Sequence, residues 1–383
     1  MTRIALTGAG LVLPTELIEE QALLIEGERI VGWNSAAEIP SDYAVKRLNG
    51  GCLVPGFIDT QVNGGGDVLL NDTPSVDGMR TIARAHRRFG TTGMLPTLIS
   101  DHPEVTDAAI GAAEAALAAG VPGVLGLHIE GPHLNPAKKG IHDAGRFTTI
   151  DESVLARLTR PTRGIRLVTL APELAPPGTI RRLREAGVLV AAGHSLANYA
   201  QTCAALAEGL SGFTHLFNAM TQLGSREPGM VGAALADRAS HFGLIVDGVH
   251  VHPATLKVAI AARGIAGAML VTDAMSPVGG SATSFTLMGQ RVEMVDGMCR
   301  GPDGTLAGSA LTMAEAFRNA IDMLGCSIVE ASQMASGNPA RFLGLAGETG
   351  AIAAGLRADL VHLDRQCRVT RTWIAGALEE LGE

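Results

Sequence analysis

Between Gly126 and His142 the chain reads GLHIEGPHLNPAKKGIH, which sets one carboxylate, Glu130, among three histidines and ends beside two lysines. No other stretch is so dense in groups that bind a cation or move a proton. Val124 to Leu127 is an apolar run that reads as a buried strand, and Gly131-Pro132 stops it, so Glu130 belongs at the strand's C-terminal lip. Other apolar runs end on polar groups in the same way. His194 follows Val188 to Gly193, His215 lies in Gly212 to Phe217, His250 comes just after Phe242 to Val246, and Asp273 ends Ala268 to Asp273. Glu130 with His194 and His215 is a mixed oxygen and nitrogen set suited to Zn²⁺ or another divalent transition metal, and three protein ligands leave a fourth position open for water. Asp273, in LVTDAMS, is the candidate general base, able to take a proton from water and return it to a leaving amine. Singly, each has a plainer explanation: a histidine at a strand end is usually a hydrogen-bonded structural residue, and an aspartate there can cap the next helix. Their joint placement at one rim outweighs those explanations. His133 reads as a structural or rim residue.

Such a rim needs a scaffold of alternating strands and helices. Eight candidate strands follow one another, from Leu53 to Asp59 and Gly93 to Ile99 through the runs above, with Ile165 to Ala171 as the fourth. Helical segments, among them Val76 to Phe89, Glu104 to Ala119, Thr179 to Ala186, Ala197 to Gly209 and Pro253 to Ala262, lie between them. This predicts an α/β fold, a (β/α)8 TIM-type barrel, with an open doubly wound sheet as the weaker alternative. Residues 1–52 and 345–383 carry short alternating stretches with Gly turns, so both termini are expected to build one small β-sandwich domain around a barrel over 53–344. From Asp273 to Gly308 the chain reads as a polar, Gly-rich connection, followed by helices over Leu311 to Leu324 and Ile328 to Ala335.

Composition narrows the partners. A net charge of -8 and a pI near 5.8 argue against general affinity for nucleic acid or an anionic membrane, so an anionic ligand must be held by a few placed residues. No apolar run approaches the roughly 18 residues of a membrane span, no secretory leader is evident, and five scattered cysteines fit a reducing compartment. A cytoplasmic protein is expected. Two tempting motifs fail: GAG near the N-terminus lacks the third glycine of a dinucleotide loop, and His128-Ile129-Glu130 lacks the P-C-x-x-C that zinc nucleobase deaminases require.

The blocks PGFIDTQVNGGG, GLHIEGPHLNPAKKGIH, AAGHS, THLFNAM, DGVHV, LVTDA and GTLAGSALTM resemble, in order, those of the N-acetylglucosamine-6-phosphate deacetylases of the metal-dependent amidohydrolase superfamily. The tail GAIAAGLRADLVHLD resembles that superfamily's return to its small domain, so the resemblance covers nearly the whole chain. It implies hydrolysis of N-acetyl-D-glucosamine 6-phosphate to D-glucosamine 6-phosphate and acetate, in amino-sugar catabolism or cell-wall recycling. It also implies roles: Glu130, His194 and His215 as metal ligands, Asp273 as the catalytic aspartate, and His142 near the scissile amide or a sugar hydroxyl. Asn218, Ala219 and His250 match substrate contacts, and Leu306, Ala307 and Gly308 match a loop lining the pocket. Arg226 matches a phosphate-binding arginine that reaches over from the neighbouring subunit, which implies a homodimer. A guanidinium is well shaped for that task.

Many superfamily members hold a second metal with His-x-His at the first strand, where this chain has Gln61 and Asn63. Neutral amides are poor ligands for a transition metal, so one ion per subunit is expected, zinc first, with manganese, cobalt or iron as alternatives. Gln61 then bonds the water or shapes the pocket. Two rivals stand beside this reading: an amidohydrolase acting on another acylated amino sugar such as N-acetylgalactosamine 6-phosphate, and a catalytically silent scaffold, which should have lost a ligand or the base.

Overall fold

The computed structural model describes residues 2–379. Eight parallel strands pair in consecutive order: β1 (Phe57–Val62), β2 (Thr91–Ile99), β3 (Gly126–Glu130), β4 (Ile165–Leu170), β5 (Leu189–Ala192), β6 (Gly212–Phe213), β7 (His241–Leu244) and β8 (Ala268–Leu270). Each is followed by a helix: α1 (Val76–Arg87), α2 (Pro103–Ala118), α3 (Glu152–Thr159), α4 (Thr179–Glu185), α5 (Tyr199–Glu208), α6 (Gly229–Ala236), α7 (Pro253–Arg263) and α8 (Met313–Asp322). The ring closes just past β8, where Ala274 bridges Val62 and its carbonyl accepts from the Asn63 and Gly64 amides at 2.9 and 3.0 Å. The fold is therefore a nearly closed (β/α)8 barrel, not an open sheet. Side-chain caps fix where helices begin: capping boxes join Asn198 to Gln201 at α5 and Thr312 to Glu315 at α8. The segment of α6, GMVGAALA, is buried almost all round, which is why it shows no amphipathic period.

The first strand differs from its sequence-based bounds. Cys52–Pro55 belongs to a separate sheet, and the barrel strand starts at Phe57. Gly56 divides them because a Cβ there would lie 2.1 Å from Thr92 Oγ1 on the neighbouring strand. Strand β6 stops at Phe213, short of the expected Phe217, since His215 and Phe217 take left-handed backbone at φ 34° and 79°.

Two further sheets come from the two ends of the chain. Arg29–Ser35, Gln21–Glu26, Arg3–Thr7 and Ala44–Arg47 form one, in that order. Ala377–Glu379, Val369–Ile374, Leu360–Leu363, Cys52–Pro55, Gly10–Val12 and Leu17–Ile18 form the other. Leu6, Leu23, Ile25, Leu53, Leu360 and Trp373 interlock between them, which makes a small sandwich with its own core.

The stretch after Asp273 is not merely a polar connection. Ser284–Leu287, Gln290–Val295 and Met298–Arg300 form a three-stranded antiparallel flap. Its turns are Met288-Gly289 and Asp296-Gly297, all four at positive φ between 49° and 78°, the backbone that two-residue hairpins require. The Asp-Gly pair was the available signal for it.

Candidate active site

The C-terminal end of the barrel gathers the polar residues that the sequence placed at strand ends. Glu130 ends β3, while His194 and His215 lie just past β5 and β6. Their ligand atoms converge: His215 Nε2 is 3.0 Å from Glu130 Oε1 and 3.1 Å from His194 Nε2, and His194 Nε2 is 3.3 Å from Glu130 Oε1. All three side chains are buried. His194 donates its Nδ1 proton to the Lys138 carbonyl at 2.8 Å, which leaves Nε2 with a lone pair facing the other two groups. Burial alone would raise the Glu130 carboxyl, but its close contacts with the His194 and His215 imidazoles outweigh it and hold the group well below its ordinary range. A buried carboxylate and two imidazole nitrogens on one point is the donor set a divalent transition metal takes, so these residues fit such an ion.

Asp273 stands beside this cluster, its backbone at φ 52°. Oδ1 accepts from Asn63 Nδ2 at 2.7 Å and Gln61 Nε2 at 3.1 Å, and Gln61 Nε2 also reaches both Glu130 oxygens at 3.1 and 3.3 Å. The amide pair thus tethers the two carboxylates. Burial, then the charge of Glu130, raises the Asp273 carboxyl above its ordinary value. Three residues of this small site, His194, His215 and Asp273, lie at left-handed backbone that ordinary residues avoid, a conformation found where function outweighs local comfort.

A cleft of about 240 Å³ opens over the cluster. His142, Asn218, Ala219, His250, Leu306 and Gly308 line it, with Asn63, Glu130, His194, His215 and Asp273 at its floor. Ala307 is buried and turns into the cluster beneath the flap. Arg226 is exposed and lies outside the cleft of its own chain. His142 Nδ1 accepts from the Ser100 amide at 3.4 Å and lies 2.8 Å from Ser100 Oγ, so its proton sits on Nε2. Burial, and next the nearby His194, push the His142 imidazolium down to about 3, so the ring is neutral at physiological pH. His250 Nδ1 donates to Asp247 Oδ2 at 2.6 Å. His133 is structural: its Nδ1 donates to the Thr148 carbonyl at 2.9 Å.

Below the rim lies a polar layer that the sequence did not announce. His128 Nε2 meets Thr169 Oγ1 at 2.8 Å, Thr169 meets Thr214 at 2.6 Å, and Asp59 accepts from Thr272 Oγ1 at 2.5 Å and the Gln61 amide at 3.1 Å. Asp59 braces the two strands that carry Gln61 and Asp273. A charged residue inside the apolar run LVPGFID was the signal for it.

The pattern for the amidohydrolase family matches residues 52–378. The chain belongs to the amidohydrolase family. This amidohydrolase is 44% identical over 373 residues to the N-acetylgalactosamine-6-phosphate deacetylase of Shewanella sp. (strain ANA-3), covering 97% of this chain and 94% of that one. It is 37% identical to the human N-acetylglucosamine-6-phosphate deacetylase, over 86% of this chain and 83% of the relative. Among solved structures, the N-acetylglucosamine-6-phosphate deacetylase from Pasteurella multocida superposes with a TM-score of 0.95 at 32% identity, covering 98% of this amidohydrolase and 99% of its own chain. Members of the family are metal-dependent, and the cluster of Glu130, His194 and His215 is suited to that chemistry. No helix among the described residues is long and apolar enough to cross a membrane.

Proposed function

We propose that this amidohydrolase removes the acetyl group of N-acetyl-D-glucosamine 6-phosphate, releasing acetate and D-glucosamine 6-phosphate. The observation that carries the reading is the convergence of Glu130, His194 and His215 on one point with the Asp273 carboxylate beside it. Glu130, His194 and His215 would hold a divalent ion, which would supply Lewis acidity for the acetyl carbonyl and for water. Asp273 has Oδ1 occupied by Asn63 and Gln61, so Oδ2 takes the proton of the water that adds to the carbonyl carbon. The same oxygen hands that proton to the sugar nitrogen as the C–N bond breaks. His142 donates from Nε2 toward the developing carbonyl charge. Asn218, Ala219 and His250 meet the sugar and its phosphate, with Leu306 and Gly308 closing over it.

One ion per subunit, zinc first and manganese, cobalt or iron next, is supported by Gln61 and Asn63, whose amide N–H groups already bond carboxylates. Arg226 is proposed to complete the phosphate site of a second copy in a homodimer; it is exposed, with no partner among the described residues. A cytoplasmic setting is supported by the five cysteines, all unpaired.

A second substrate, N-acetyl-D-galactosamine 6-phosphate, is favoured by one observation: the Shewanella relative at 44% identity carries that name. Acetate release from both epimers, before and after chelation and with zinc, manganese or cobalt restored, tests the reading. Metal-dependent release from the glucosamine compound establishes it, and release from the galactosamine epimer alone establishes the second. No release from either overturns both.

A further inference from the structure

The cleft has two chemically distinct walls, and the mechanism above uses only one. In an eight-stranded ring β2 stands opposite β6. Asn218, His250 and the Ala219 backbone follow β6 and β7, whereas an apolar wall is made by Ile99 at the end of β2, across the ring from β6, together with Met275 just past β8 and Ile141 beside His142. Ile99 and Met275 are 4% and 1% exposed, so this wall is closed behind as well as apolar in front. Behind it lies a small hydrophobic cluster separate from the main core, in which Ile99, Met275 and Ala307 pack with Leu287, Val292 and Cys299 of the flap. Gly308 makes room for the wall: a Cβ there would lie 2.7 Å from Met275 Sδ and 2.7 Å from the Asp273 carbonyl.

On the deacetylase reading, the scissile carbon must sit over the cluster of Glu130, His194 and His215, with the sugar toward the polar wall. The acyl chain then leaves that carbon in the opposite direction. We infer that Ile99 and Met275 form an acyl pocket that fixes the length of the N-acyl group, admitting acetyl and turning away longer unbranched acyl chains. A rigid apolar surface discriminates by volume, and one methylene too many in such a pocket costs about 10- to 200-fold in kcat/KM. The pocket has no charged group in its wall, so it selects on size and not on polarity.

The test is a chain-length series: N-acetyl-, N-propionyl- and N-butyryl-D-glucosamine 6-phosphate, assayed as the free amine released, on the metal-loaded full chain. The parent is expected to lose at least about 10-fold in kcat/KM at the propionyl compound and more at the butyryl one. Ile99→Ala and Met275→Ala should each raise the butyryl-to-acetyl ratio by about 10-fold or more. Met275→Leu, nearly equal in volume and safe for folding, should leave it within about threefold. Ile245→Ala, on the β7 side of the cleft, is the control and should leave the ratio unchanged. A ratio that stays put in both alanine variants, shown folded by their thermal transitions, overturns the assignment, as does an equal shift in the Ile245 control. If the parent cleaves the acetyl compound and the ratios do not move, this inference falls alone. If it cleaves none of the three, the deacetylase reading falls with it.

Discussion

The two ends of one barrel are built by the same eight strands and obey different rules. At the N-terminal end Ile58, Leu95, Leu167, Ala191 and Met269 meet Ala340, Phe342 and Leu343 from the helices after β8, an ordinary apolar plug. At the C-terminal end the Glu130 carboxylate and three imidazoles are buried together with Asp273 half-buried beside them, and three of these residues, His194, His215 and Asp273, take left-handed backbone. The first end lowers the energy of the fold, while the second raises it and receives chemistry in return. Stability and activity should therefore respond independently to substitution at the two ends.

Asp273→Asn is expected to reduce kcat by about 10²- to 10⁴-fold and to leave the unfolding midpoint unchanged or higher, because a buried carboxylate beside Glu130 is neutralised. A marked loss of thermal stability in that variant would break the contrast. Phe342→Ala is the mirror experiment. It should cost about 3–5 kcal/mol of stability while the folded fraction keeps kcat within about twofold, as denaturant titration and active-site counting can establish.

Acid should also act on the active end. His86 of α1 is wholly buried, bonds the Gly64 carbonyl at 2.8 Å in the loop after β1, and is pushed down to about 4 by burial. Its folded value lies below the ordinary 6.5, so its contribution is intact above pH 6.5 and is lost as pH falls toward about 4. The shift corresponds to roughly 3 kcal/mol at most. Asp59, raised by burial to about 7, runs the other way: its contribution is full below pH 3.8 and lost as pH rises through 7. Comparing unfolding midpoints of the parent and His86→Gln between pH 8 and 4 isolates the histidine, and equal acid slopes would discount it. The smallest effect belongs to Arg226→Ala. KM for the phosphorylated substrate should rise about 10- to 100-fold, the worth of one or two charge-assisted hydrogen bonds, with little change on the unphosphorylated sugar.

Much of this contrast could be read from the chain itself. Apolar runs ending in Glu130, His194, His215 and Asp273 are local patterns, and parallel strands must present such ends at one rim. What escaped depends on contacts between distant residues. The break at Gly56 exists because Thr92 crosses there, and the neutral state of His142 follows from burial and the nearby His194. The acyl wall arises only when Ile99, Ile141 and Met275, plain hydrophobic residues in sequence, meet under the flap. The left-handed turns at His194 and His215 are likewise imposed by the rim and not by residue type.

The sandwich places a constraint on synthesis. Cys52–Pro55 leaves the ribosome early, yet its antiparallel neighbour Leu360–Leu363 is made about three hundred residues later. The whole barrel emerges in the interval. The sheet that holds Cys52–Pro55 must therefore wait with an open edge until Leu360–Leu363 is made and pairs with it. A ribosome that stalls before Leu360 would release an enzyme-like barrel with a sticky flank, a form for quality control to recognise.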